Sequence, residues 1–157
     1  MLMTHSSLLN TENLPLRTPA FSTQLSPSTA IPANRSYVIV LATGLEDHGK
    51  RATLAFSAAC SALAIDRPTY VFLVGDGSHW AYEGHADAIH QAGFPALNEL
   101  IDTYLELDGK LYICSACDQV CSLPLTDGAV LVRRQGIEVR GLVSILDYAA
   151  HSSTITF

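Results

Sequence analysis

The chain has 157 residues, 48% of them hydrophobic and 15% charged, with a net charge of −6. That length suits one domain with a real core. The acidic balance, without any basic patch, argues against nucleic acid as a partner, and no apolar run approaches the roughly 18 residues of a membrane span. So apolar a chain has surface to spare for a subunit interface, and a homo-oligomer is expected.

Residues 1–35 differ from the rest. Pro15, Pro19, Pro27 and Pro32 fall among many Ser, Thr and Asn, with no apolar periodicity to bury. This composition predicts a disordered or loosely attached arm, and an extension from a misassigned start fits it equally. The arm has neither the apolar core of a secretory signal nor, with only Arg17 and Arg35, the basic content of a transit peptide. The domain is therefore expected over residues 36–157.

Tyr37 to Ala42 is an unbroken apolar run, the pattern of a central parallel strand. A polar loop follows, and Lys50 to Ala64 carries Leu54, Ala55, Ala58, Ala59, Ala62 and Leu63 at helical spacing. Thr69 to Val74 is a second strand, ended by a tight turn at Gly75-Asp76-Gly77. Ser78 to Gly93 reads as a loop with a short helix. Pro95 opens a second helical pattern, Leu97 to Leu107, which Gly109 closes. Lys110 to Ile113 is a third strand. Pro124 and Asp127-Gly128 break the region after it, with a short helix possible at Ala129 to Arg134. Ile137 to Gly141 is a fourth strand, Ser144 caps a helix over Ile145 to Ala150, and Thr154 to Phe157 is a fifth strand. Strands alternating with helices predict an α/β fold: a single doubly wound domain with a five-stranded, mostly parallel sheet flanked by helices.

Three of the four cysteines lie together in Cys114-Ser115-Ala116-Cys117-Asp118-Gln119-Val120-Cys121. Cys114 falls where a strand ends, the edge at which open α/β sheets carry their chemistry. A thiol at a helix N-terminus is favoured as thiolate, the nucleophilic form. Offsets of zero, three and seven put the three sulfurs on one stripe of a helix. They suit a redox pair, a nucleophile with a neighbour, or three ligands of a zinc or iron–sulfur site completed from outside. Burial of small residues is the plain alternative. Cys60, alone in an apolar helix, reads as a buried small hydrophobe. Four cysteines are too few for a disulfide scaffold, so a reducing cytoplasm fits.

Other motifs carry less. Gly44 to Lys50 has the spacing of a phosphate-binding loop, but Arg51 replaces the Mg²⁺-holding hydroxyl and Glu46 and Asp47 bring negative charge. Gly75-Asp76-Gly77 lacks the last glycine of a dinucleotide fingerprint, since Trp80 stands there, yet it follows a parallel strand and is a candidate lining of the edge that holds Cys114. His79, His85 and His90 do not share a helical face. They read as solvated, with a loop histidine near the thiols as the alternative.

These features in order give a resemblance. Gly44, Glu46 and Asp47 follow the first strand, and Gly75-Asp76-Gly77 the second. Lys110 to Cys114 follows a Leu-rich helix and Gly109. Gly136-x-Glu138-x-x-Gly141-Leu142 and a strand ending at Phe157 complete the set. From about Tyr37 to Phe157 the chain resembles the DsrE/DsrF-like family, which includes the TusD-type sulfur-relay subunits. The resemblance implies a five-stranded α/β fold of flavodoxin-like layering, homo- or hetero-oligomers, and a cysteine that carries sulfur as a persulfide. Cys114 matches that cysteine. The Leu-Arg-Arg-Gly segment that usually follows is replaced by Gln119-Val120-Cys121-Ser122. Cys117 matches the second thiol of members with Cys-x-x-Cys. The implied activity is a sulfurtransferase-like carrier without a cofactor, in which Cys114 accepts sulfane sulfur from donor proteins or small thiols. Cys117 then resolves or stabilises the persulfide, and Cys121 is a third thiol. The competing expectations are a metal or iron–sulfur module built on Cys114, Cys117 and Cys121, and a structural oligomer subunit.

Overall fold

A computed structural model describes residues 35–121 and 130–157. Residues 1–34 of the expected arm, and Ala129 of the expected short helix, lie outside the described residues.

Five strands form one sheet: β1 (Ser36–Leu41), β2 (Thr69–Leu73), β3 (Lys110–Cys114), β4 (Ile137–Arg140) and β5 (Ser152–Thr156). Their order is β4-β3-β2-β1-β5, and every neighbouring pair is parallel. The helices are α1 (Lys50–Ala64), α2 (Leu97–Glu106), α3 (Ser115–Cys121) and α4 (Leu142–Ala150), with a 3-10 helix at Gly75–Ala81. The chain steps from β1 through β4 in one direction and returns to the far side of β1 for β5. The strand ends differ from the expected ones by at most two residues.

The continuous apolar runs of β1, β2 and β3 serve two faces. Ile39, Leu41, Val71, Leu73, Leu111 and Ile113 point to one side, where α1 and α2 cover them. Val38, Phe72 and Tyr112 point to the other, under Ile145 and Tyr148 of α4. Successive strand residues alternate sides, so a run apolar at every position has to be covered on both faces. On α1 the buried stripe is Ala52, Ala55, Phe56 and Ala59. Its alanines let the helix axis approach the sheet closely. On α2, Leu97, Leu100, Ile101 and Tyr104 recur at helical spacing. The Tyr104 hydroxyl lies 2.7 Å from Thr69 O and 2.9 Å from Lys110 O, joining the entries of β2 and β3. Each fully buried Leu, Ile or Phe here contributes on the order of 1.5–3 kcal/mol.

Two local expectations are corrected. Residues 130–134 are not helical: Arg133 pairs antiparallel with Tyr82. Glu83 N–H donates to Val132 O and Arg134 N–H to Ala81 O, each at 2.9 Å. Strand-like pairing satisfies this segment's backbone, which leaves nothing for a helix to gain. Ser144 is not a cap either, because α4 begins at Leu142 after Gly141, and Ser144 N–H donates to Gly141 O within its first turn.

The turn after β2 is the tightest point of the fold. Gly75 has a positive φ of 52°, a region open to glycine. Gly77 N–H donates to Ala42 O at 3.0 Å, and a Cβ on Gly77 would strike the Leu41 carbonyl. Trp80, fully buried, donates from Nε1 to Thr43 O at 2.8 Å. The exits of β1 and β2 are thus bolted together by backbone contact. Gly77→Ala is expected to cost about 3 kcal/mol through overpacking against backbone that has no room to yield. A urea-unfolding midpoint unchanged from the parent protein would refute this.

Candidate functional site

The loops after β1, β2 and β3 meet at the carboxyl edge of the sheet around a cleft of about 580 Å³. The β1 loop supplies Gly44, Leu45 and Glu46. The segment after β2 supplies Gly75, Asp76, Ser78, His79, Tyr82 and His85. Helix α3 supplies Ala116, Cys117, Val120 and Cys121, and Leu131 closes the remaining side. This is the edge where an open parallel sheet presents its ligand sites.

The cysteine stretch divides between two environments. Cys114 is the last residue of β3 and only 4% exposed, and it does not line the cleft. Cys117 and Cys121, half-buried on α3, do line it. The Cys114 sulfur neighbours Cys117 and acts on its thiol. The sequence places the reactive thiol at Cys114, whereas the structure puts that sulfur behind Cys117, because a side chain at the last position of a central strand is still enclosed by the sheet. Among the described residues all four cysteines are free thiols.

Helix α3 buries no side chain fully, so polar contacts orient it. Gly75 N–H donates to Cys117 Sγ at 3.2 Å. Ser78 Oγ and Cys121 Sγ are 3.5 Å apart. Asp118 accepts from Arg133 Nη1 at 3.0 and 2.9 Å on its two oxygens and from the Tyr82 hydroxyl at 2.9 Å. The Arg133–Asp118 pair ties residues 130–134 to α3.

Burial pushes the Cys117 thiol above its ordinary range; the Gly75 N–H opposes this, and the neighbouring Cys114 and Cys121 sulfurs add to it. The helix-terminus argument for a ready thiolate therefore does not describe Cys117, which rests as a thiol. Cys60, elsewhere on α1, is also pushed up by burial and donates to Leu100 O at 3.5 Å. It is the packed residue that its apolar surroundings suggest.

Of the glycine turn, Gly75 and Asp76 line the cleft, while Gly77 lies beneath it against the β1 backbone. Two histidines read from the sequence as solvated are in the cleft. The His79 and His85 rings stack, with centroids 3.8 Å apart and planes inclined by 17°. His79 also meets Trp80 edge-on at 5.3 Å. Their spacing of six residues places them on no common helical face, because the 3-10 helix ends between them and the chain then turns back. His90 is exposed and is not part of the cleft. Among the described residues no group of three or more His, Cys, Asp or Glu is arranged to hold a metal ion. Cys114, Cys117 and Cys121 do not form such a group among those residues. The Gly44–Lys50 loop is no phosphate cradle: Asp47 accepts from the Arg51 backbone N–H at 3.0 Å, and Arg51 Nη1 donates to Thr43 Oγ1 at 3.4 Å.

Comparison with known proteins agrees with this architecture. The chain superposes on the crystal structure of the ychN protein from E. coli with a TM-score of 0.59 at 15% identity, over 78% of this chain and 99% of that one. A conserved protein of unknown function, BT1422 from Bacteroides thetaiotaomicron, gives a TM-score of 0.52 at 12% identity, over 78% of this chain and 95% of that one. At these identities the likeness concerns the fold. No curated protein sequence matches the chain. The family model described as DsrE/DsrF-like family matches residues 36–157, and the chain belongs to that family.

Proposed function

We propose that this protein is a sulfur-relay carrier: it accepts sulfane sulfur as a cysteine persulfide and passes it to an acceptor thiol. The observation that carries the reading is the gathering of three free thiols at the β3–α3 junction, with Cys117 and Cys121 facing a cleft formed by three loops. The family is generally associated with sulfur relay, which supports the same reading. Membership alone does not specify a persulfide step, so the chemistry is argued from the thiols.

Cys117 is the entry point in this scheme. Its sulfur attacks the outer sulfur of a donor persulfide, the donor S–S bond breaks, and the donor leaves as a thiol. The product is a Cys117 persulfide, with no net oxidation. An acceptor thiol then takes the outer sulfur by the same exchange. Alternatively the neighbouring Cys114 attacks the inner sulfur, releasing hydrosulfide and leaving a Cys114–Cys117 disulfide. An external thiol must reduce that disulfide to reset the site. Donor and acceptor are proteins or small thiols of a reducing compartment, the cytoplasm. Among the described residues no helix is long and apolar enough to cross a membrane.

The carrier is proposed to act as a homo-oligomer. Helix α4 packs Ile145 and Tyr148 on the sheet while Leu142, Val143 and Leu146 stand 58%, 74% and 72% exposed. Three neighbouring apolar side chains in water favour a partner surface.

Two measurements test the proposal. Intact mass of the reduced protein after exposure to a sulfane-sulfur donor should rise by one or more sulfur atoms, reversibly with reductant. The gain should vanish in Cys117→Ser and persist in Cys60→Ser. Absence of any gain in the parent protein, with its thiols shown to be free, would sink the carrier reading. Sedimentation of Val143→Glu/Leu146→Glu should give a smaller particle than the parent, and equal masses would remove α4 from the interface.

A further inference from the structure

We propose that His85 is the proton acceptor for the Cys117 thiol, its Nε2 taking the proton as the sulfur attacks. The identity of the sulfur substrate rests on the relay reading above; the effect of His85 on the thiol does not.

The deduction starts from one hydrogen bond. His85 Nδ1 lies 2.9 Å from the backbone carbonyl oxygen of His79. A carbonyl oxygen only accepts, so Nδ1 carries the hydrogen. In a neutral imidazole the other nitrogen then holds the free lone pair. Nε2 of His85 is thus left as the basic atom of a ring that lines the same cleft as Cys117 and Cys121. The stack on His79 fixes the plane of the ring.

The surrounding groups single out this nitrogen. Burial, and then the neighbouring His85, make His79 harder to protonate. The Tyr82 ring is 6.1 Å from His85, but its hydroxyl is spent as a donor to Asp118. Burial and that contact push the phenol upward, so it stays protonated. Asp118 has both oxygens engaged by Arg133. Glu46 and Asp76 also line the cleft, and both are exposed. Carboxylates are intrinsically weaker bases than imidazole. Among the described residues no Lys or Arg lines the cleft to stabilise a thiolate directly. A thiol whose ionisation is disfavoured by burial, sharing a cleft with an imidazole of fixed tautomer, has the two parts of an activated nucleophile.

The step balances. Cys117–SH and R–S–SH give Cys117–S–SH and R–SH. The proton moves from Cys117 to His85 Nε2 and then to the departing R–S⁻. One S–S bond breaks, one forms, and no oxidant or reductant is consumed.

The test uses the full-length protein and iodoacetamide, a neutral electrophile that requires no sulfur donor. Alkylation of Cys117 is followed by peptide mass across a pH series in the parent, His85→Gln and His90→Gln. His85→Gln should slow the reaction near pH 7 by roughly tenfold to a hundredfold. It should rejoin the parent rate at high pH, where the thiol ionises unaided, and free imidazole should restore part of the loss. His90→Gln should match the parent. A profile for His85→Gln that overlays the parent, or that is depressed equally at every pH, overturns the proposal. Nitrogen NMR of the parent protein gives a readout that does not depend on the variant folding: the neutral His85 ring should be the Nδ1–H tautomer, and an Nε2–H tautomer overturns the proposal too. A parent protein that alkylates as expected but never gains sulfur would refute the relay reading and leave the role of His85 standing.

Discussion

The cleft depends on one close approach, that of Gly77 to the end of β1. Its N–H donates to Ala42 O at 3.0 Å, and no Cβ fits beside the Leu41 carbonyl. That contact turns the chain leaving β2 across the exit of β1, and the buried Trp80 locks it there through Thr43. Gly75 N–H is then presented to Cys117, Ser78 to Cys121, and His79 and Tyr82 to the cleft. The walls of the site are thus a consequence of backbone packing between two parallel strands, and α3 is the element hung on them.

That division of labour explains how weakly α3 is held by apolar contact. Its anchors are sulfur and carboxylate hydrogen bonds to the 3-10 helix and to Arg133. An element held by polar contacts of modest strength opens at lower free-energy cost than a core helix. In the proposed carrier, whose thiol has to reach its donor, such an element presents the sulfur without disturbing the sheet. Burial, against the opposing Gly75 N–H, keeps Cys117 a thiol at rest, which gives a neighbouring base something to do.

Much of the fold was legible in the sequence because its signals are strong. Tyr37 to Ala42 and Thr69 to Val74 are apolar at successive positions, which only a strand covered on both faces satisfies. Both long helices carry their apolar residues at helical spacing. The Cys-x-x-Cys at the end of β3 located the edge of the sheet that bears the cleft. What was not legible depends on contacts between distant segments. Periodicity cannot reveal that the strand's last side chain, Cys114, is enclosed while Cys117 is open. Residues 130–134 lost their expected helix to pairing with Tyr82, an interaction across about fifty positions. His79 and His85 share no helical face, and only the turn after the 3-10 helix stacks them. A glycine pair that ends a strand is visible in sequence, but not which of the two faces the cleft and which lies beneath it.

The central claim is that Cys117, and not the more deeply placed Cys114, receives the sulfur. The most direct test is to load the reduced protein with less than one equivalent of a sulfane-sulfur donor, cap all thiols and persulfides with an electrophile, and map the extra sulfur by peptide mass spectrometry. The account predicts that the added sulfur is found on Cys117. Extra sulfur found first on Cys114, with Cys117 capped as a plain thiol, would contradict it.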